Sequence, residues 1–206
     1  MQKREEKKQL ILHAATECFS RNGYEKTTLD DIGGRVSLNK ASLYYYYSSK
    51  EDLFCDVIYS EAHRFREEVR NKIKNMKGVE PKIVFFLTER ARFYRKLRHL
   101  HDLTLNLVRR IEPIFLTLQH SIRAEERSLL QDVINEGVVT GEIRKTESVR
   151  LAEVLLKIAS VSRRPALALA DDYSGHGSEE SEDVEMLDDI QFTTKLILQG
   201  VRLSAG

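Results

Sequence analysis

From Phe54 onward, apolar residues return at every third or fourth position: Phe54, Ile58, Ala62, Phe65, Val69, Ile73 and Met76. That spacing lines one face of an α-helix and does not suit a strand, whose faces alternate every second residue. Opened at Ser48-Ser49-Lys50-Glu51 and closed by Gly78-Val79-Glu80-Pro81, the helix runs about 40 Å at ~1.5 Å per residue. An apolar stripe of that length needs other elements to cover it. The composition says those elements are helices too. Only 3 prolines and 10 glycines punctuate 206 residues, too few for an all-β sandwich with a turn at every tenth residue. With 41% hydrophobic and 32% charged residues, the chain has the balance of a soluble globular protein with a real core.

The same reading extends along the chain. Leu10, Ile11, Ala14, Ala15, Cys18 and Phe19 recur at helical spacing and Asn22-Gly23 stops them. Thr27-Thr28 offers an N-cap for a short helix carrying Leu29, Ile32 and Val36, and Asn39 caps a third from Lys40 to about Tyr45. After the long fourth helix come Ile83 to about Leu97, Leu100 to Ile111, and a segment from Pro113 to about Val139. Thr140-Gly141 breaks the pattern, and Thr146 caps a helix to about Leu169. Residues 171–189 hold nine acids and no Lys or Arg, which reads as a solvated or disordered loop. Leu187, Ile190, Thr194, Ile197 and Val201 line a last helix. The expectation is an all-α chain of about nine helices. A three-helix head, residues 1–47, precedes a helical body, residues 48–206.

Charge is uneven beneath a net +1. Residues 1–60 carry 9 basic against 9 acidic side chains, residues 61–120 carry 14 against 7, and residues 121–206 carry 10 against 16. No global basic excess marks a nucleic-acid binder, so that function must rest on local placement. No apolar run approaches the ~20 residues that cross a bilayer. The start, Met1-Gln2-Lys3-Arg4-Glu5-Glu6-Lys7-Lys8, is charged with no signal-type apolar segment behind it, so a cytoplasmic protein is expected. Cys18 and Cys55 have neither disulfide-framework nor metal-ligand spacing and read as buried free thiols.

Chemistry concentrates in the head. Two short helices joined by a tight turn, the second opening with small polar residues, make a helix-turn-helix whose second helix fits the ~12 Å major groove. The stretch Thr28-Leu29-Asp30-Asp31-Ile32-Gly33 … Val36-Ser37-Leu38-Asn39-Lys40-Ala41-Ser42-Leu43-Tyr44-Tyr45-Tyr46-Tyr47-Ser48-Ser49-Lys50-Glu51-Asp52-Leu53 resembles the TetR (tetracycline-repressor-like) family of transcriptional regulators. The resemblance covers about 45 residues of the head. It implies a homodimeric, all-helical repressor that binds a double-stranded DNA operator and carries a ligand pocket in its body. It also implies that Thr28 meets phosphate at the start of the second helix. By the same resemblance Asn39, Lys40, Ala41 and Ser42 open the recognition helix, Tyr44 and Tyr46 reach the backbone or bases, and Lys50 takes a phosphate. Lys donation to guanine and Ala or Ser contact with a thymine methyl or polar edge suit those positions. Three departures stand out. Ser37 occupies the turn position where the family places Gly, Gly33 stands where Ala is usual, and four tyrosines replace a more varied run. A left-handed Ser37 would cost roughly 1 kcal/mol more than Gly, and an inward Tyr47 would need a partner for its hydroxyl. Lys3, Arg4, Lys7 and Lys8 read either as an arm that grips phosphate or as a frayed helix start.

In the body, Phe86, Phe93, Tyr94, His101, Asn106 and Phe115 fall where the family builds its pocket. They are the candidate residues for an unknown small-molecule effector, with ordinary core packing as the alternative. The last two helices carry apolar stripes beyond what the core needs, which suggests a two-fold four-helix homodimer interface. No Glu-x-x-His, His-Glu-x-x-His, phosphate loop or Gly-x-Ser-x-Gly elbow occurs, so no catalytic residue, metal, cofactor or membrane partner is expected. A helical small-molecule carrier whose head no longer reads DNA is the competing reading, favoured only by the neutral charge of residues 1–60.

Overall fold

The computed structural model describes residues 2–101, 105–161 and 179–202, leaving aside the side chains of 2, 98–101, 105–115, 117, 118, 161 and 179–183. Among the described residues it is all-helical. The helices are α1 (Gln2–Lys26), α2 (Leu29–Arg35), α3 (Lys40–Tyr44), α4 (Lys50–Lys74), α5 (Val79–His101), α6 (Leu105–Thr140), α7 (Ser148–Val161) and α8 (Glu179–Gln199). One antiparallel bridge, Ile143 with Arg202, is the extended pairing present among these residues.

Several boundaries differ from the sequence reading. Gly23 breaks the regular helix of α1 with φ 74° and ψ 167°, and the buried Thr27 hydroxyl lies 3.1 Å from the Cys18 carbonyl and 2.8 Å from the Gly23 carbonyl, tying the two sides of the break. Helix α4 stops at Lys74, where Asn75 and Met76 donate to carbonyls three residues back and tighten the last turn. Pro81 belongs to the first turn of α5, where no N–H is needed for an intrahelical bond. The break expected before Pro113 is absent and α6 is continuous, because proline's fixed φ is itself helical and only one ladder bond is lost. Helix α7 opens at Ser148, and its expected extension toward Leu169 lies outside the described residues. The acidic stretch is corrected in part. Residues 179–189 are helical, and acids suit the positive end of the α8 dipole, whereas residues 171–178 lie outside the described residues.

The chain divides into two compact units, Met1–Phe65 with Tyr94–Ile122 and Arg66–Phe93 with Arg123–Gly206. The core of the first holds Ile11, Ala15, Phe19, Tyr24, Ile32, Leu43, Leu53, Phe54 and Val57. Leu10, expected on the inward stripe, is instead 54% exposed, since the α1 stripe centres on Ile11, Ala15 and Cys18. Phe54 meets Phe19 and Tyr24 edge-on at 5.0 and 4.8 Å, and this aromatic trio fixes the start of α4 against the end of α1. Cys18 and Cys55 are free and buried.

The core of the second unit holds Ile83, Phe86 and Leu87 of α5, Leu130 and Ile134 of α6, and Ala152, Leu155 and Leu156 of α7. A Cβ on Gly137 would stand 2.6 Å from Val79 Cγ2, so glycine lets α6 and the start of α5 approach closely. Buried charges are paired here: Arg90 with Glu126 at 2.9 Å and Lys82 with Glu136 at 2.5 Å. Removing one partner of the Arg90–Glu126 pair would strand a charge away from water.

Candidate nucleic-acid interface

Helix α2 begins with a reciprocal cap. The Thr28 N–H (2.8 Å) and hydroxyl (2.6 Å) donate to Asp31 Oδ2, and the Asp31 N–H donates to Thr28 Oγ1 at 3.1 Å. The Thr28 hydroxyl and N–H hold the Asp31 carboxyl below the usual carboxylate range. The turn that follows closes on one carbonyl: Gly33 O accepts from Val36 N (3.1 Å) and Leu38 N (2.9 Å). Ser37 between them is left-handed, φ 54°, at the position helices most often end with glycine. The close crossing sits at Gly33, where an added Cβ would lie 2.4 Å from the Leu38 carbonyl oxygen. Glycine therefore stands at position 33 and not at the left-handed position 37, and Gly33 is the residue the backbone path requires.

Helix α3 starts with its own cap, Asn39 Oδ1 accepting from Ser42 N at 2.8 Å. Leu43 is buried and anchors the helix. Lys40 and Tyr44, one turn apart, and Ala41 beside them are all exposed, so they form one outward face. Ser42 is half-buried on the flank toward the core. The tyrosine run splits by direction. Tyr44 and Tyr45 are exposed, Tyr46 is half-buried with its ring edge-on to Tyr45 at 5.1 Å, and Tyr47 is buried. The Tyr47 hydroxyl donates to Asp56 Oδ2 at 2.9 Å, the partner its burial requires. Burial and the Asp56 charge push this phenol well above its usual range. Tyr45 is the exposed aromatic that sequence reasoning missed; alternation along a four-residue aromatic run gives no signal for it.

Ser49 accepts from Asp52 N at 3.0 Å and caps α4. Lys50, the first residue of α4, is half-buried with Nζ 4.1 Å over the Tyr24 ring and 3.5 Å from the Glu25 carbonyl. Thr28 and Asn39 thus open α2 and α3, Lys40, Ala41 and Tyr44 share a face, and Lys50 opens α4. The pocket candidates are placed differently. Phe86 is in the core of the second unit, Phe93 and Tyr94 are half-buried, and the side chains of His101, Asn106 and Phe115 lie outside the described residues.

Residues 11–57 match the family model described as bacterial regulatory proteins, tetR family. A similar curated protein is an uncharacterized HTH-type transcriptional regulator of Bacillus subtilis, YhgD, 29% identical over 159 residues that span 74% of this chain and 80% of the relative. A solved transcriptional regulator from Cytophaga hutchinsonii superposes with a TM-score of 0.72 at 25% identity, covering 95% of this chain and 98% of that one.

The head, residues 11–57, belongs to the TetR family of bacterial regulatory proteins.

A further structure with this TetR fold is the regulator FadR of Bacillus subtilis in complex with stearoyl-CoA, with a TM-score of 0.59, 18% identity and 94% and 99% of the two chains covered. Among the described residues, no helix is long and apolar enough to cross a membrane. No cluster of three or more His, Cys, Asp or Glu side chains among them could hold a metal ion.

Proposed function

We propose that this TetR-family regulator binds a palindromic operator as a homodimer in the cytoplasm, represses transcription from it, and is released by a small molecule. The observation that carries the reading is the outward face of α3, where Lys40, Ala41 and Tyr44 stand exposed on a helix capped by Asn39 and anchored by Leu43. Lysine offers donors to guanine O6 and N7, alanine a surface for a thymine methyl, and tyrosine a hydroxyl for a base edge or phosphate. Thr28 and Lys50, at the starts of α2 and α4, supply phosphate contacts where free N–H groups and helix dipoles also favour anions. The Thr28 hydroxyl turns from Asp31 to do so.

Dimerisation is supported by apolar side chains on the last two helices. Val149 and Val154 on α7 and Val184, Phe192 and Leu196 on α8 are exposed, Phe192 by 69%. An apolar set of this kind belongs at an interface rather than in water. Two α3 helices presented ~34–36 Å apart then read successive major grooves.

Release follows from linkage. An effector that prefers a body conformation with the wrong spacing of the two heads weakens DNA binding, and DNA weakens the effector by the same factor. A coupling of ~1–3 kcal/mol changes affinity roughly 5- to 150-fold. The FadR fold neighbour makes a long-chain acyl thioester the first probe to try, with Phe86, Phe93, Tyr94, His101, Asn106 and Phe115 the residues to vary. Selection of bound duplexes from a random library, then anisotropy titration of the selected duplex with and without the probe, tests both halves. An enriched inverted repeat and a probe-dependent loss of affinity are expected. No enriched sequence contradicts the reading.

A further inference from the structure

Of the basic residues that open α1, Lys3 and Arg4 are exposed, whereas Lys7 and Lys8 are half-buried and reach other elements. Lys7 Nζ donates to the Val36 carbonyl at 2.9 Å. Val36 is the C-cap of α2, where carbonyls lack helical partners and a cation meets the negative end of the dipole. Lys8 Nζ lies 3.0 Å from Asp56 Oδ2, the same oxygen that accepts the Tyr47 hydroxyl at 2.9 Å. It also stands 5.2 Å over the Tyr47 ring. These contacts reach the chain on both sides of α3: at Val36, four residues before it opens, and at Tyr47, three residues after it ends. Each joins that flank to a long helix, α1 through the lysines and α4 through Asp56.

We infer that Lys7 and Lys8 are positioning residues for the recognition helix, a brace that sets how α3 is presented to a base pair, and are not phosphate ligands. The inference rests on the DNA-binding reading above. Its physical basis is the division of labour at a protein–DNA interface. Phosphate attraction tolerates a small tilt of the helix, whereas hydrogen bonds to base edges do not. Loosening either flank of α3 therefore costs sequence discrimination and leaves the electrostatic attraction in place. Asp56 is central because its one oxygen serves two donors. Without Lys8, the Tyr47–Asp56 bond faces water and loses the charge that pins it to α1.

The test uses the full chain and its Lys7→Met, Lys8→Met and Tyr47→Phe variants. The unsubstituted chain first selects duplexes from a random library. Dissociation constants are then measured on the selected repeat and on a scrambled duplex of equal length between about 50 and 200 mM salt. Each variant is expected to weaken the selected repeat roughly tenfold. The scrambled duplex and the slope of log affinity against log salt stay unchanged, and Lys8→Arg restores the repeat. A slope lower by about one unit, with equal losses on both duplexes, makes the lysine a phosphate ligand and overturns the brace. Unchanged discrimination overturns it as well. Methionine keeps most of the aliphatic stem of lysine, and Tyr47→Phe, which removes only a hydroxyl, carries the test if a lysine variant loses helicity. An unsubstituted chain that selects nothing contradicts the DNA reading itself, before any variant is made.

Discussion

Ser37 sits at φ 54°, a region that costs an L residue about 1–2 kcal/mol. Replacing it by glycine removes that cost and returns part of it as unfolded-chain entropy, so Ser37→Gly is expected to raise the unfolding free energy by about 0.5–1 kcal/mol in urea melts. Gly33→Ala should do the reverse. Its methyl would stand 2.4 Å from the Leu38 carbonyl oxygen, and the forced backbone shift costs about 1–3 kcal/mol, more than the ~1 kcal/mol of helix propensity alanine gains. Both departures from the family pattern were legible in the sequence. That Gly33 lies against the Leu38 carbonyl was not, because it depends on the path of the backbone through the turn. The thiols make a second residue-scale prediction. Burial pushes Cys55 up to about 11 from an ordinary 9.0 and raises Cys18 in the same direction. At pH 8 both should resist a thiol reagent until denaturant is added. The folded value of Cys55 lies above the unfolded one, so its contribution is fully present below about pH 9 and is lost as pH rises toward about 11.

At the scale of elements, caps and periodicity told more than punctuation did. Thr28, Asn39 and the serines before Lys50 open helices as their side chains suggest, because a short oxygen-bearing side chain satisfies free N–H groups locally. Prolines misled. Pro81 belongs to a helix start rather than a helix end, and the chain runs through Pro113 without a break. Both are compatible with helix for reasons of neighbourhood that a single residue does not display. The acids before Leu187 were read as solvated loop by composition alone, yet from Glu179 onward they form the first turns of α8. Two substitutions separate the roles assigned to α3 and α4. Lys40→Ala should relax preference at one base pair per half-site by ~1–3 kcal/mol. Lys50→Ala should weaken all duplexes alike and lower the salt slope by about one unit, as measured by titration at several salt concentrations. An unaltered selected motif for the first, or an unaltered slope for the second, contradicts the assignment.

For the molecule as a whole, the balanced charge of residues 1–60 means that attraction to DNA rests on where a few cations stand. Surplus apolar side chains on α7 and α8 were legible as periodicity; which of them remain exposed required the packed structure. Phe192→Glu places a charge at the most exposed member of that set. It should turn a dimer into a monomer in sedimentation while keeping the helical content, and operator affinity should fall with it. The pocket was the least legible part, since apolar helical spacing is shared by core and cavity and does not tell one from the other. In this picture α3 enters the major groove twice, from a paired molecule. Methylation interference at guanine N7 on the selected duplex tests it directly. Two patches on one face of the DNA, with centres ~34–36 Å apart, are the predicted result. A single patch, or no guanine N7 affected, would contradict it.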